Sequence, residues 1–363
     1  MATPKETLWE LELHTSAKHD ILRRYLAAWF PILGTYHRRI VYIDGFCGPG
    51  RYKGGEAGSP MIAIGEAMNH CNSISGEVIF WFIEEREDRL NHLRSELANL
   101  KTPPEFKIFT ESGKFHEKFG QMLDSIGHAK DSLAPTFAFI DPFGFYGIPF
   151  SLIERLLKCN RSEVFVTFMV DSINRWLEHP DDKVVQNIVD AFGTEEAVAI
   201  ATGSGNRIVK LRELYQSKLQ GAATYVRYFE MRDRQNRVQY YLFFASNNDL
   251  GHRKMKEAMW KVNPDGEFSF SDATDPNQPV LFEADTTGIL VEQLREKFRT
   301  KGSVSGKDVR CFVENETPYL KKHMTAALKI EEGSSKIRVE AMKSDGKKRK
   351  AGSYPDEVKL AWV

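Results

Sequence analysis

Cysteine is scarce in this chain. Cys47, Cys71, Cys159 and Cys311 are scattered without a CxxC pair, which excludes a disulfide framework and a zinc ribbon and leads us to expect reduced thiols. The ten histidines show no HxxxH spacing and no obvious carboxylate partners, so no protein-bound metal site is expected. No apolar run approaches the roughly 18 residues of a membrane span, and the start MATPKETLWELELH lacks the basic and apolar regions of a signal peptide. The expectation is a cytoplasmic protein with no membrane contact. The Walker string GxxxxGK followed by Ser or Thr is also missing, which removes ATP hydrolysis by a P-loop. There is no internal repeat.

What is present is an ordinary globular composition, 42% hydrophobic and 28% charged, in 363 residues, more than one core usually organises. A large domain over 1–280 and a small one over 281–363 are expected. Net charge is zero overall, yet the stretch from Thr286 to Val363 carries roughly 17 basic against 11 acidic residues, leaving the larger part net acidic.

The segment AKHDILRRYLAAWFPIL places Ile21, Leu22, Tyr25, Leu26, Trp29 and Phe30 at helical spacing, an amphipathic flanking helix. Strand-like and helix-like segments then alternate. RRIVYIDGFCGPG leads to MIAIGEAMNH, with Ser59 as a cap and Pro60 in the first turn. EVIFWFIEE leads to REDRLNHLRSELANL, EFKIFTES to KFHEKFGQMLDSI, and TFAFIDPFGF to SLIERLLKCN before the strand EVFVTFMVD. Such alternation means an α/β, doubly wound, mostly parallel sheet. ATYVRYFEMRDRQNRVQYYLFFAS reads as an antiparallel pair at a sheet edge. After the turn-rich NPDGEFSFSDATDPNQP come three helical segments, GILVEQLREKF, SGKDVRCFVENE and PYLKKHMTAALKIEEG. The strands KIRVEAM and EVKLAWV follow, and a basic hairpin joins them. This is the pattern of a small winged helix-turn-helix.

In an open parallel sheet, ligands bind beyond the carboxyl ends of the strands, where the stretch YIDGFCGPGRYKGGEAGSP falls. It does not keep the GxGxxG dinucleotide spacing. DGFCGPG instead resembles the first motif of class I S-adenosylmethionine-dependent methyltransferases, DxFxGxG, with Asp44, Phe46, Gly48 and Gly50 in the matching places. The resemblance implies that Asp44 and the glycine turn meet the amino acid portion of that cofactor, an acid receiving its ammonium group. Glu84, with Glu85 as a rival, stands where a second acid accepts hydrogen bonds from ribose hydroxyls, and Glu111 or Ser112 is placed to meet the adenine. Asp141, Pro142 and Phe143 resemble the Asn/Asp-Pro-Pro-Tyr/Phe motif of methyltransferases acting on amino groups, although Gly144 stands after Phe143 and the second proline is missing. Asp141 would orient the acceptor and Phe143 stack on its plane. Asp171, Asn174 and Arg175 are candidates for the substrate side.

Taken together, KHDILRRYLAAW, YIDGFCGPGRY, GSPMIA, FIDPFG, YYLFFAS and the terminal winged-helix pattern resemble the three-Cys-motif partner protein family. That resemblance implies a Rossmann-like methyltransferase domain, S-adenosylmethionine as cofactor, a role with nucleic acid, and a separate radical-S-adenosylmethionine-like protein as partner. Lys347, Lys348, Arg349 and Lys350 in the hairpin, with Lys321 and Lys322 at the start of the third helix, are the candidate phosphate contacts to DNA or RNA. The function expected is methylation of nucleic acid. The alternative is a non-catalytic nucleic-acid-binding accessory to the three-cysteine partner.

Overall fold

The structure is a computed structural model describing residues 4–126, 133–264, 267–273, 287–341 and 346–363. The chain divides into two compact units. One is Met1–Val262 with Ser269–Pro276, and the other is Asn263–Phe268 with Asn277–Val363.

The larger unit opens with the long helix α1 (Leu13–Tyr36), whose buried Ile21, Leu22, Tyr25, Leu26, Trp29 and Phe30 are the apolar stripe read from the sequence. Strand β1 (Arg39–Asp44) leads through the glycine loop to α2 (Ser59–Asn69). Next come β2 (Glu77–Glu84), α3 (Glu87–Ala98), β3 (Phe106–Ser112), α4 (Phe115–Ile126), β4 (Thr136–Ile140), α5 (Phe150–Leu157) and β5 (Ser162–Phe168). Four helices, α6 (Val170–Trp176), α7 (Asp182–Phe192), α8 (Glu196–Ala199) and α9 (Arg207–Ala222), separate β5 from β6 (Tyr225–Arg232) and β7 (Val238–Ser246). Helix α10 (Asp249–Val262) and the short β8 (Ser269–Ser271) complete the unit.

The sheet order is β3-β2-β1-β4-β5-β7-β6-β8. Strands β1 to β5 run parallel, and β7 enters antiparallel between β5 and β6. This is the Rossmann-like, doubly wound methyltransferase fold. Strand order reverses at β1 and β4, so the crevice beyond their carboxyl ends is where this architecture accepts a ligand. Strands β4 and β5 are buried along their whole length, as parallel strands covered on both faces must be.

Two local expectations change. The antiparallel pair β6–β7 does not form the outer edge, because β8, drawn from the turn-rich stretch, pairs with β6 outside it. Ser59 does not cap α2: Gly58 is the N-cap residue and no side-chain bond is made there, although Pro60 does sit in the first turn.

The smaller unit contains α11 (Thr287–Phe298), β9 (Ser303–Ser305), α12 (Gly306–Glu316), α13 (Lys321–Gly333), β10 (Ile337–Val339) and β11 (Lys359–Trp362). The strands form an antiparallel sheet in the order β10-β11-β9. A capping box between Ser305 and Asp308 starts α12. Strand β9 ends at Ser305, the first residue of that box, in a stretch where the sequence reading placed no strand. Among the described residues of the chain, no helix is long and apolar enough to cross a membrane, and no group of three or more His, Cys, Asp or Glu is placed to hold a metal ion.

Candidate active site

Backbone geometry explains why the loop after β1 is rich in glycine. Gly48 and Gly50 have φ of 62° and 85°, the left-handed region where a side chain is strained. A Cβ on Gly50 would also come within 2.7 Å of Leu93 Cδ1. Gly50→Ala is therefore expected to cost about 1–2 kcal/mol from the backbone alone, read as a lower urea midpoint at unchanged slope. An unchanged midpoint would mean that the turn relaxes freely.

Two acids at strand ends hold this loop from beneath. Glu84 accepts hydrogen bonds from the Gly48 amide (3.0 Å, Oε2) and the Arg86 amide (2.9 Å, Oε1), linking the ends of β1 and β2. Burial pushes its carboxyl up, against the pull of those amides and of Arg89. Asp44 is fully buried. The Phe46 amide donates to its Oδ1 at 3.3 Å, while Oδ2 has no partner of good geometry. Burial pushes the Asp44 carboxyl up to about 7, opposed by the Ser59 hydroxyl and the Phe46 amide and reinforced by the Asp141 and Glu84 charges.

Above the loop lies a cavity of about 370 Å³. Its floor is Phe46, Cys47, Gly48, Pro49 and Gly50 with Ser59; one wall is Asp141, Pro142 and Phe143 from the end of β4; Thr167 comes from β5, Met169 from just beyond its end and Tyr240 from β7. The remainder is Arg51, Tyr52 and Gly58 of the same loop, with the N-terminal segment and the start of α1, including Trp9, Lys18 and His19. Asp44 and Glu84, which hold the Phe46 and Gly48 amides of that floor, do not themselves line it.

Asp141 is clamped. Lys18 Nζ donates to its Oδ2 at 2.5 Å and Thr167 Oγ1 to its Oδ1 at 2.6 Å. Both donors come from buried residues, so the carboxylate is fixed in direction, with a further lone pair on each oxygen open to another donor. His19 beside it is held neutral: burial pulls its pKa down to about 3, helped by the Lys18 charge. Burial likewise pushes the Tyr52 and Tyr240 hydroxyls up, so both stay protonated. The cavity thus presents the oriented Asp141 acid and its paired Lys18 ammonium beside neutral aromatic and imidazole groups, with Glu10, Glu12 and Arg51 as further charged lining residues.

The structure therefore brings Asp44, Phe46, Gly48, Gly50, Glu84, Asp141, Pro142 and Phe143 together at the switch point. Asp171, Asn174 and Arg175 lie on α6, outside the residues that line the cavity, and Arg175 pairs with Asp171 at 3.3 Å on a partly exposed face. Sequence reasoning missed Lys18, Thr167, Tyr240 and Trp9. Lys18 carried one available signal, a lysine in the first turns of a helix that flanks the cofactor motif.

In the smaller unit, Lys321 and Lys322 are exposed at the start of α13, and Lys347, Lys348 and Lys350 are exposed in the β10–β11 connection. Arg349 is not presented outward. It pairs with Glu332, donates to the Glu340 and Ser353 carbonyls and faces the Tyr354 ring. Glu331 is fully buried and accepts from Arg295 Nε and Nη2 at 3.0 and 2.7 Å. With both acids of α13 engaged by arginines, its exposed charges are Lys321, Lys322 and Lys329, the last absent from the sequence-based set.

The strand order defines a Rossmann-like methyltransferase fold. No protein-family model matches the chain, and no curated protein does either. Among solved structures, Trm1 from Pyrococcus horikoshii in complex with S-adenosyl-L-methionine aligns at 13% identity over 100% of this chain and 94% of that one, with a TM-score of 0.36. The O-methyltransferase TomG from Streptomyces achromogenes, in complex with SAM, aligns at 14% identity over 66% of this chain and 92% of that one, TM-score 0.34. The O-methyltransferase from Bacillus cereus in complex with SAH gives 16%, 62%, 80% and 0.32. The fold assignment stands on the strand order itself.

Proposed function

We propose that the larger unit is an S-adenosylmethionine-dependent methyltransferase and that the smaller unit is a winged helix that holds its nucleic-acid substrate, DNA or RNA. The observation that carries the first part is Asp44: a fully buried carboxyl oxygen without a well-aligned partner, beneath a left-handed glycine turn, calls for a cationic ligand group. Bound S-adenosylmethionine supplies an electrophilic methyl group on a sulfonium. Its ammonium is the cation that suits Asp44, and the side-chain-free turn at Gly48 and Gly50 leaves room for its methionyl chain. Glu84 retains lone pairs beyond the two used by backbone amides, which suits ribose hydroxyls.

Asp141 serves as the acceptor-positioning group. With Lys18 and Thr167 holding its two oxygens, it accepts N–H bonds in a fixed direction, which suits an amino group, and Phe143 offers a ring on which a base can stack. Asp171, Asn174 and Arg175 on α6 are assigned to later contact with a large substrate. In the smaller unit, the order of three helices and a three-stranded antiparallel sheet supports the winged-helix reading, with Lys321, Lys322, Lys347, Lys348 and Lys350 toward phosphate. Arg349 supports that connection from inside. The resemblance to the three-Cys-motif partner family adds a separate radical-S-adenosylmethionine-like protein as the candidate partner.

The test is calorimetric titration with S-adenosylhomocysteine, then transfer of a labelled methyl group to DNA and RNA pools. Saturable binding and label in one pool are expected. Changing Lys347, Lys348 and Lys350 together to Ala should weaken nucleic-acid binding and flatten its log–log salt dependence by about 0.9 for each phosphate no longer neutralised. An unchanged salt slope would overturn the electrostatic assignment.

A further inference from the structure

The segment preceding α1 is strapped down by side chains at the start of α3 and by the glycine loop. Arg86 Nη1 donates to the Pro4 and Lys5 carbonyls at 3.0 and 2.9 Å, and Arg89 Nη2 donates to the Pro4 carbonyl at 2.7 Å. Thr7 Oγ1 donates to Asp88 at 2.5 Å, and the Lys53 amide donates to the Trp9 carbonyl at 2.9 Å. This latch lies on the first turn of α3 and on the glycine loop, and it fixes the indole of Trp9. The ring stands edge-on to Tyr52 and Phe143 at 5.7 and 5.6 Å, and the Arg89 guanidinium lies 4.6 Å from its centre. A Cβ on Gly48 would touch it at 3.5 Å.

The carboxyl edge of the sheet holds a second cavity besides the one above the loop, of about 430 Å³, reached from Glu85 and Gly113 at the ends of β2 and β3 and from Tyr146 after β4. Phe46 lines both. An elongated ligand with an amino acid at one end and a nucleoside at the other would extend from the glycine loop toward the ends of β2 and β3 and pass the Gly48–Glu84 pair. Trp9 packs on Gly48 and on Arg89, the residue whose charge acts on Glu84, and Glu84 itself lines neither cavity.

We propose that residues 4–12 form a strap whose Trp9 ring closes the passage over Gly48 and Glu84, so that the cofactor binds only when the strap lifts. The proposal rests on the S-adenosylmethionine reading above and adds regulation to that site. Binding affinity is then reduced by the fraction of molecules with the strap open. With an open fraction of about one tenth, removing the ring or its latch should tighten binding about tenfold.

The experiment is calorimetric titration of the full chain with S-adenosylhomocysteine in wild type, Trp9→Ala and Arg86→Ala, with melting curves to show that each is folded. Arg86→Ala keeps the ring and removes two of the bonds that hold it. A Kd about tenfold lower in both variants is the expected result. Weaker binding in Trp9→Ala would overturn the gate and make the ring a wall of the binding site; equal Kd values in all three proteins would overturn it and leave the cofactor reading intact. No binding by any of the three folded proteins would overturn the cofactor reading and the gate with it.

Discussion

Asp44→Asn is expected to stabilise the free protein near neutral pH while lowering its affinity for S-adenosylhomocysteine by about one to two orders of magnitude. The two effects share one cause. The folded carboxyl has its pKa raised by burial from the ordinary 3.8 to about 7, so the folded state holds that proton more tightly than the unfolded chain does. A group raised in this way gives stability that is fully present below the unfolded pKa and is lost as pH climbs from about 4 through about 7. The total is about 4 kcal/mol. Asparagine has no such loss, so melts of wild type and variant should converge at low pH and separate progressively up to pH 7, with the variant higher. A ligand ammonium reverses the sign, because it pairs with the ionised carboxylate. Affinity of the wild type should therefore rise with pH across the same window, with proton release on binding below pH 7. Removing a charge-assisted bond of about 1.5–3 kcal/mol corresponds to roughly a 10- to 150-fold loss of affinity. Equal affinities at pH 8, measured calorimetrically, would remove Asp44 from the site; a melting difference that does not vary with pH would refute the buried-charge account.

Much of the larger unit was legible because its signals are local. Each parallel strand is a short apolar run ending in an acid or a turn, and each following helix carries a stripe at helical spacing. The glycine loop was legible for the same reason, since positive φ at Gly48 and Gly50 forces a residue choice that sequence records directly. What sequence does not record is a partner far along the chain. Lys18 meets Asp141 across 123 positions, and Glu163 receives Tyr25 across 138, yet on its own each acid or base looks like a solvated charge. Strand β8 is legible only through its pairing with β6, since Phe268 to Ser271 alternates but the strand is only three residues, Ser269–Ser271, too short to stand out from a turn-rich stretch. Arg349 shows the opposite failure. A run of four basic residues reads as a uniform patch, but Glu332 and Tyr354 turn one of them inward. Glu84 was legible as an acid at a strand end; its hold on the Gly48 amide was not, because backbone partners leave no trace in side-chain pattern.

Glu163→Leu is expected to destabilise the protein by about 3–9 kcal/mol, whereas Glu163→Gln should cost far less. Glu163 is the second residue of β5 and is buried, at the end of the strand away from the cavity. Its Oε2 accepts from Tyr25 Oη at 2.6 Å and Trp29 Nε1 at 2.9 Å, and its Oε1 accepts from Ser246 Oγ at 2.8 Å. Gly251 presses on the same carboxylate so closely that no side chain fits there. Leucine fills the space but strands three buried donors, each costing about 1–3 kcal/mol when left without an acceptor. Glutamine keeps an acceptor oxygen for Tyr25 and Trp29 and loses only the arrangement at Ser246. The consequence reaches the site through α1. Lys18 lies two turns before Tyr25 on that helix, so the bond that fixes Tyr25 and Trp29 to β5 also fixes the register in which Lys18 meets Asp141. Urea unfolding should separate the two variants clearly, and the Leu variant should also bind S-adenosylhomocysteine less tightly at temperatures where it is still folded. Equal unfolding midpoints for Leu and Gln would show that the three donors find other acceptors, and that the carboxylate does not clamp the helix.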